Sequence, residues 1–577
     1  MVNPEIAAVF NEIADLLELT GGDPFRVNSY RKAARSIEDL TEDIADVANR
    51  GELQNIPGVG KGTAERIMQY LKTGKVAVHQ ELLNSIPRGL PELLTVPGLG
   101  PKKVQALHRE LGVNSMADLE AVIADGRAER LPGFGKKSVE KIAEGLAFLK
   151  RSAGRTPLGA ALPLAEGLRD AVREFTGVRR IEIAGSARRG CETVGDIDLL
   201  CIADDGERVV NAFTKLPEVT GVRAAGGTKG SVLVAGPVRG EIQVDLRVVP
   251  EESFGAALQY FTGSKEHNVR LRELAVRRGW KLNEYGLFDG DRRIAGREEE
   301  EIYEKLDLRP IPPELREDRG EIECRGEIPR LVSLADIKGD MHVHSTASDG
   351  RSTIEEMAEA AGKRGYRYLA ICDHSKSSVI ANGLDETRLL RHIQDIRAAG
   401  ERVKGLTLLA GIECDILANG SLDYPDDILA QLDWVIASIH SAQQQDRASL
   451  TRRSIAAMEN PYVCCLGHPS GRLLGRRDAM DLDWDELFAT AARTGCALEI
   501  SASWQRLDLK DVHIRQAIDA GCRLAISTDA HSTDQLDQMP LGVQTARRGW
   551  ATPEHILNTL PVARLRAWIA AKRKRRM

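Results

Sequence analysis

No apolar run in this 577-residue chain reaches the ~18 residues that a membrane-spanning helix needs. The opening stretch MVNPEIAAVFNEIADLLELTGG carries acids within its apolar stripe, so it reads as an amphipathic helix and not as a signal peptide. A disulfide framework is missing too. Nine cysteines, an odd number with no C-x-x-C pair, point to reduced thiols and a cytoplasmic protein. Nor is there a bulk basic field: the net charge is −6, so contact with nucleic acid must come from local patches or backbone amides. Hydrophobic residues at 42% and charged residues at 28% are ordinary, which excludes a collagen, a disordered tail protein and a small disulfide scaffold. At ~100–200 residues per domain the length predicts roughly three to five domains.

What is present is patterned. The first 150 or so residues read as helices with Gly-rich turns. Within them LQNIPGVGKGTAERI (53–67), LLTVPGLGPKKVQAL (93–107) and AERLPGFGKKSVEKI (128–142) share one form, L-x-x-h-P-G-h-G-x-x-x-h. Each predicts helix, tight turn, helix. Gly58 and Gly60, Gly98 and Gly100, and Gly133 and Gly135 permit a turn with bare backbone N–H groups at a helix N-terminus, a cradle for one phosphate. Lys61, Lys102, Lys103, Lys136 and Lys137 add charge beside it. A plain helix hairpin also uses Pro-Gly as punctuation, but three copies argue for a shared task. The segments resemble helix–hairpin–helix modules that grip the DNA backbone without reading sequence.

From 155 to 320, strand-like runs (IEIAGS, DIDLLCIA, SVLVAG, IQVDLRVV) alternate with helical patterns. The run AGSARRGCETVGDIDLL (184–200) sets a Gly-Ser turn after a strand, then Arg-Arg-Gly, then Asp196 and Asp198. Strand alternation puts both carboxylates on one face, where they suit a pair of hard cations such as Mg²⁺ or Mn²⁺. IQVDLRVV offers a third, Asp245. Two ions held so would ease attack by a 3′-hydroxyl and departure of pyrophosphate. Ser186 and Arg189 sit where they can bind a triphosphate. A lone D-x-D also fits a plain surface strand; the Gly-Ser…Arg-Arg-Gly prefix and the third aspartate set this one apart.

The motifs G-S-x-R-R-G…G-D-I-D, V-D-L-R, YFTGSKEHN and LNEYGL resemble the palm and thumb of a family X DNA polymerase, and the likeness extends over most of residues 1–318. It implies a catalytic metal-binding triad of Asp196, Asp198 and Asp245, and phosphate contacts from Ser186, Arg189 and Arg155. Tyr260, Phe261 and Gly263 match the motif flanking the nucleotide sugar. Asn268 and Arg272 match positions facing the incoming base and the template, and Gly185 and Gly195 match backbone positions. The resemblance also implies DNA, gapped or as primer-template, and dNTPs as partners, with a monomeric chain. Some members cleave a deoxyribose phosphate through a lysine Schiff base. Here Arg66 takes that place, and a guanidinium cannot form the imine; Lys32, Lys61 and Lys75 are the substitutes at hand.

From 337 onward, seven short apolar strands alternate with helices and end in polar residues (DMHVH, YLAICDH, TLLAGIECDI, WVIASIH, CLGHPS, CALEIS, RLAISTDAH), which predicts a distorted β/α barrel. Of twelve histidines only His79, His108 and His267 precede residue 300. His342, His344, Asp349, His374, Glu413, His440, His468, Asp529 and His531 fall nearly all at strand ends, where such barrels gather reactive groups. Imidazole with carboxylate suits Zn²⁺ or Mn²⁺, and nine groups exceed the need of one ion; Glu413 or Asp529 would bridge. His392, His513 and His555 lie in helical patterns or at a helix start and are expected on the surface. Arg472 and Arg506 either neutralise phosphates or are solvated.

The spacing H-V-H…D…D-H…E…H…G-H-P…D-A-H resembles the PHP (polymerase and histidinol phosphatase) domain over about 337–571, with all nine ligand positions filled. That likeness implies two to three ions, Mn²⁺ or Zn²⁺, and phosphoester hydrolysis: trimming a DNA 3′ end or opening an abasic site. Ser501 and Trp504 in SASWQRLDL depart from the usual Asn-rich form and are not ligand positions. Other readings stay open: a small-molecule or pyrophosphate phosphatase, a structural docking module, or, for the N-terminal half, an untemplated nucleotidyltransferase. The expected fold is multidomain. A helical region (1–85) and a second hairpin region (86–153) precede an α/β nucleotidyltransferase palm (154–248) and thumb (249–318). A linker (319–336), a (β/α)7 PHP barrel (337–571) and a basic tail (572–577) follow.

Overall fold

A computed structural model describes residues 2–574, apart from positions 39, 41, 42, 57, 88, 95, 97, 153, 239, 325 and 326. Pro57 and Pro97 of the hairpin motifs and the last three residues of the expected tail therefore lie outside the described residues. Two compact units divide the chain, 1–153 and 154–577.

The first unit is helical, and its apolar residues form two separate cores. Ile6, Phe10, Ile13, Ala33, Ile37 and Ile67 gather the helices Asn3–Leu19, Pro24–Glu38 and Lys61–Thr73. Val104, Leu107, Leu119, Phe134 and Ile142 gather Pro101–Leu111, Met116–Ala124 and Lys136–Ser152. Ser115 begins the middle helix of that group by accepting from the Asp118 N–H.

The second unit starts with a five-stranded mixed sheet: β1 (Val178–Ile183), β2 (Asp196–Ala203), β3 (Val219–Ala225), β4 (Lys229–Ala235) and β5 (Glu241–Val248), in the order β1-β2-β5-β4-β3. Only β2 and β5 run parallel. Alternation along β2 feeds two layers. Ile197, Leu199 and Cys201 pack with Leu168, Val172, Val209 and Phe213 of the helices Leu158–Arg173 and Gly206–Phe213. Leu200 and Ile202 pack with Phe254, Ala257 and Leu258 of the helix Phe254–Thr262. Asp196 and Asp198 share the parity of that second set, at the strand's start.

Helices Lys265–Arg277 and Glu299–Lys305 and a three-stranded antiparallel sheet, spanning 280–295, follow. Glu299 pins them to the palm. It takes two hydrogen bonds from Arg188 (2.8 and 2.6 Å) and one from Arg316 (2.6 Å). The expected linker 319–336 is a packed strap. Ile322 and Leu331 enter the thumb core, Glu321 is fully buried against His267, and Val332 joins the barrel core. Its apolar residues follow no period, so they read as a linker, yet Ile322, Leu331 and Val332 are buried while Leu334 stays exposed.

The remainder is a parallel barrel of β6 (Gly339–Val343), β7 (Tyr368–Ile371), β8 (Thr407–Asp415), β9 (Trp434–Ser438), β10 (Cys465–Leu466), β11 (Ala497–Ser501) and β12 (Leu524–Ser527), in sequential order. A parallel bridge from Val343 to Ala530 brings its two ends together. Tyr368, Leu409, Trp434, Ile436 and Ala525 pack with Leu565 and Ile569 of the last helix, Val562–Lys574. That helix takes in the start of the expected tail: Lys572 Nζ donates to the Asn460 carbonyl (3.2 Å) and Arg573 to that of Leu432 (2.6 Å). The barrel also packs on the palm. A Cβ at Gly159 would stand 2.3 Å from Cβ of Trp504, and Leu507 and Leu541 belong to the palm core. Among the described residues, no helix is long and apolar enough to cross a membrane.

Candidate active sites

The three hairpins have one backbone geometry. Gly58, Gly98 and Gly133 sit at φ +86°, +85° and +85°, a left-handed conformation that a side chain disfavours. Two residues on, the carbonyls of Gly60, Gly100 and Gly135 each accept the N–H groups three and four positions ahead, opening the next helix. Among the described residues no side-chain hydrogen bond caps the helices that begin at Gly60 and Gly100, which leaves first-turn amides available as an anion site requires. Lys61, Lys102 and Lys136 occupy the first turns of these helices. Arg66 is turned inward, its Nη1 bonded to the Gly62 carbonyl and its guanidinium 5.7 Å from the Tyr30 ring.

In the palm, parallel pairing sets Asp198 opposite Asp245 and Asp196 opposite Gln243. Asp196 is exposed, Asp198 half-buried and Asp245 buried. Asp245 Oδ1 accepts from Ser231 Oγ (2.6 Å) and Gln243 Nε2 (3.0 Å), and Lys229 Nζ lies 3.3 Å from Oδ2. Burial pushes the Asp245 carboxyl up, but these donors win and hold it below the usual range. Asp198 has no such help. Burial, then repulsion from Asp196 and Asp245, pushes its pKa up to about 7. Three carboxylates that raise one another's energy fit a divalent cation pair by the chemistry of the donor set. Gly185, at φ +64°, passes so close that a Cβ there would stand 2.3 Å from Asp198 Oδ2.

The neighbours expected around a nucleotide are placed unevenly. Ser186 follows Gly185 in a one-turn helix and is half-buried. Arg155 is exposed, with Nε donating to Thr193 Oγ1 (2.9 Å) and Nη1 3.5 Å from where a Cβ of Gly195 would lie. Tyr260 and Phe261 meet edge to face at 5.1 Å. The Asn268 amide is engaged internally, with the Tyr260 carbonyl (2.7 Å) and Gln259 Nε2 (2.6 Å), and Arg272 Nε reaches its carbonyl at 3.3 Å. Gly263 packs on Arg189. Arg189 itself is engaged: its Nε lies 3.0 Å from Glu317.

In the barrel the nine expected groups converge. Three sets of ligand atoms lie within 4.8 Å of one another: His344, Asp349, His374 and His531; His342, His344 and Asp529; His374, Glu413 and His440. His468 Nε2 is 2.8 Å from Glu413 Oε1. His374 Nδ1 and Glu413 Oε2 are 2.9 Å apart, and both are buried without a hydrogen bond. Lone pairs aimed at shared space in this way fit cations between them. His468 (φ +24°) and Asp529 (φ +56°) hold left-handed backbone without being glycine, the kind of strain that functional sites retain. Burial opposes charge on His440, yet Glu413 and Asp415 push its pKa up to about 10. Burial, then His531 and His374, lower His344 to about 4.

Supporting acids went unread in the sequence. Glu499, fully buried on β11, lies 2.8 Å from His342 Nδ1 and accepts from the His468 backbone N–H (2.6 Å). Asp415 lies 2.6 Å from His440 Nδ1. Such partners fix ring orientation and raise basicity. Their signal was an acid inside an otherwise apolar strand, as in ALEIS. His392, expected on the surface, is buried with its Nε2 2.8 Å from Asp373. It follows Leu389 by one turn on the inward helix face. His513 is half-buried and stacks on Trp484 at 4.1 Å, while His555 closes the turn at Thr552. Of the two candidate arginines, Arg472 ties the barrel to palm Glu192 (2.7 Å). Arg506 lies 3.6 Å from Asp529 with a buried Nη1 lacking a hydrogen bond. Ser501 is buried on β11.

A nucleotidyltransferase palm beside a phosphoesterase barrel defines the class. Within it, the DNA polymerase beta thumb matches residues 257–317 and the PHP domain 340–503. A helix-hairpin-helix domain matches 1–76, and a SAM-like helix-hairpin-helix tandem matches 90–147. The DNA polymerase/3′-5′ exonuclease PolX of Bacillus subtilis is 39% identical over 571 residues, 99% of each chain. DNA polymerase lambda of Rattus norvegicus is 27% identical over 284 residues, 46% of each. A probable phosphatase of Thermoanaerobacter is 26% identical over 247 residues, 41% of this chain and 96% of its own. The chain belongs to the family X DNA polymerases that carry a PHP domain.

Proposed function

We infer that this chain is a DNA-directed DNA polymerase that fills short gaps in repair and carries a 3′–5′ exonuclease in its barrel, with abasic-site opening as a further activity. The observation that carries the polymerase half is the register of Asp198 against Asp245, with Asp196 on the same face. Asp196, Asp198 and Asp245 would hold two Mg²⁺ or Mn²⁺ ions. The nine barrel groups would hold two to three Mn²⁺ or Zn²⁺ ions. Divalent cations bound at either place supply Lewis acidity at phosphorus.

The chain's own groups do the rest. Asp245, held ionised by Ser231 and Gln243, keeps one wall of the palm site charged. The Gly185 turn lets a triphosphate approach Asp198 closely, and Ser186, Arg155 and Arg189 are its contacts. The hairpins grip DNA phosphates through bare amides, so binding is independent of sequence. In the barrel, Glu499 and Asp415 orient His342 and His440, and Arg506, 3.6 Å from Asp529, would offset the charge of a phosphoester. Arg66 rules out a Schiff base at its position. Reduced thiols fit a cytoplasmic enzyme, and we take it to act as a monomer.

The test is a gapped-DNA assay with and without dNTPs. Asp196→Ala with Asp198→Ala should abolish extension and leave 3′ trimming; persisting extension would contradict the palm reading. Because a probable phosphatase relative matches 41% of this chain over 96% of its own length, a phosphomonoester, pyrophosphate and a 3′-recessed duplex should be compared. Turnover of only the small substrates would favour a phosphatase.

A further inference from the structure

Arg189 is the phosphate contact of the proposed nucleotide site, yet its guanidinium is committed elsewhere. Nε lies 3.0 Å from Glu317 Oε1, Nη1 donates to the Thr262 carbonyl, and Nη2 stands 3.6 Å from Cys191 Sγ. The side chain is only 15% exposed. Glu317 Oε1 carries a second cation, Arg548 Nη1, also at 3.0 Å. Arg548 ends the barrel helix Met539–Arg548. Its Nε and Nη2 are fixed on Asp511 at 3.1 and 2.8 Å, and Nη1 also donates to the backbone carbonyl of Arg189 at 2.8 Å. Arg319 shares Asp511 at 2.9 Å. A cavity of about 200 Å³, lined by Arg155, Gly190, Cys191, Arg319, Asp511 and Arg548 among others, opens beside this cluster.

A buried carboxylate that loses its only cation is costly, whereas one that keeps a second partner is not. Glu317 therefore restrains Arg189, and Arg548 decides how easily it lets go. We propose that Glu317 and Arg548 set the palm's affinity for nucleoside triphosphate: Glu317 holds Arg189 back, and the barrel's Arg548 neutralises Glu317 when Arg189 turns to the phosphates. The step is an exchange of ion pairs. Arg189–Glu317 breaks, Arg189–phosphate forms, and Arg548–Glu317 persists. The inference rests on Arg189 being a triphosphate contact. It makes the barrel a positioning partner of the polymerase through two named side chains.

Opposite signs test it. In gap filling by the full chain, Glu317→Gln frees Arg189 and should lower the KM for dNTP several-fold. Arg548→Ala leaves Glu317 with Arg189 alone and should raise that KM about tenfold, with a smaller change in kcat. The double variant should return to the Glu317→Gln value, and Arg548→Lys, which keeps the charge but not the fork, should fall between wild type and Arg548→Ala. A network that merely supports the fold would weaken binding in both single variants. A raised KM in Glu317→Gln, or an unchanged KM in Arg548→Ala, overturns the proposal. Should Arg548→Ala not fold, Glu317→Gln still decides by its sign. Arg189→Ala separates the two ideas. Wild-type KM there overturns the nucleotide reading of Arg189 and this inference with it. A raised KM there, with Glu317→Gln and Arg548→Ala at wild type, overturns the inference alone.

Discussion

The palm and the barrel both gather groups suited to divalent cations, but they prepare the site to different degrees. In the palm, Asp196 and Asp198 face partly open space, and of the three carboxylates the buried Asp245 has a built set of donors, Ser231, Gln243 and Lys229. In the barrel, nine groups crowd together, and buried acids stand behind the imidazoles: Glu499 behind His342 and Asp415 behind His440. The difference teaches where assembly occurs. The barrel's proposed ligands are oriented by the fold itself, with buried carboxylates paired to imidazoles. The palm's are mutually repulsive until cations and a triphosphate arrive, which suits a site that must load and release a nucleotide each cycle.

The strongest way to break this comparison is to strike one shared ligand in each half. Glu413 lies within 4 Å of five histidines, His342, His344, His374, His440 and His468. Glu413→Gln should reduce 3′ trimming in Mn²⁺ about a thousandfold or more and leave gap filling intact. Asp245→Asn should do the reverse, scored in the same assay. Loss of both activities from either change would mean the halves share one centre.

A sharper comparison comes from the supports. Glu499→Gln should raise the Mn²⁺ concentration that hydrolysis requires by about 10–100-fold, read from a metal titration. Ser231→Ala removes one donor from a charged group and should cost extension only about tenfold. Equal effects would erase the claim that the barrel is the more preorganised site.

The smallest effect on chemistry, and one on stability, belongs to the palm–thumb joint. Glu299→Ala leaves buried Arg316 and half-buried Arg188 without their carboxylate and should destabilise the chain by about 3–5 kcal/mol in urea unfolding. Burial opposes its charge, but Arg188 and Arg316 hold the Glu299 pKa down at about 2. A depressed carboxylate stabilises above its unfolded value, so this contribution is complete above about pH 4.5 and fades as pH falls toward 2. A variant with an unshifted acid limb would contradict that assignment.

The convergence of both candidate sites is legible in the sequence because the proposed ligands sit at fixed strand spacings: D-x-D, H-x-H and D-x-H each put two groups on one face. The supports were not, since pairing is a property of space. His342 and Glu499 are 157 positions apart, and Arg189 and Glu317 are 128 apart. The same limit hid the burial of His392 and the packing of the 319–336 strap, whose apolar residues carry no period. Among the barrel arginines, only the fold separates Arg472, which ties to the palm, from Arg506, which faces Asp529.

The most direct measurement is anomalous scattering from crystals of the full chain grown with Mn²⁺. The account predicts peaks at the Asp196, Asp198 and Asp245 carboxylates and at least two more among the barrel imidazoles, bridged by Glu413 or Asp529. Peaks confined to one half, or manganese bound away from these side chains, would contradict it.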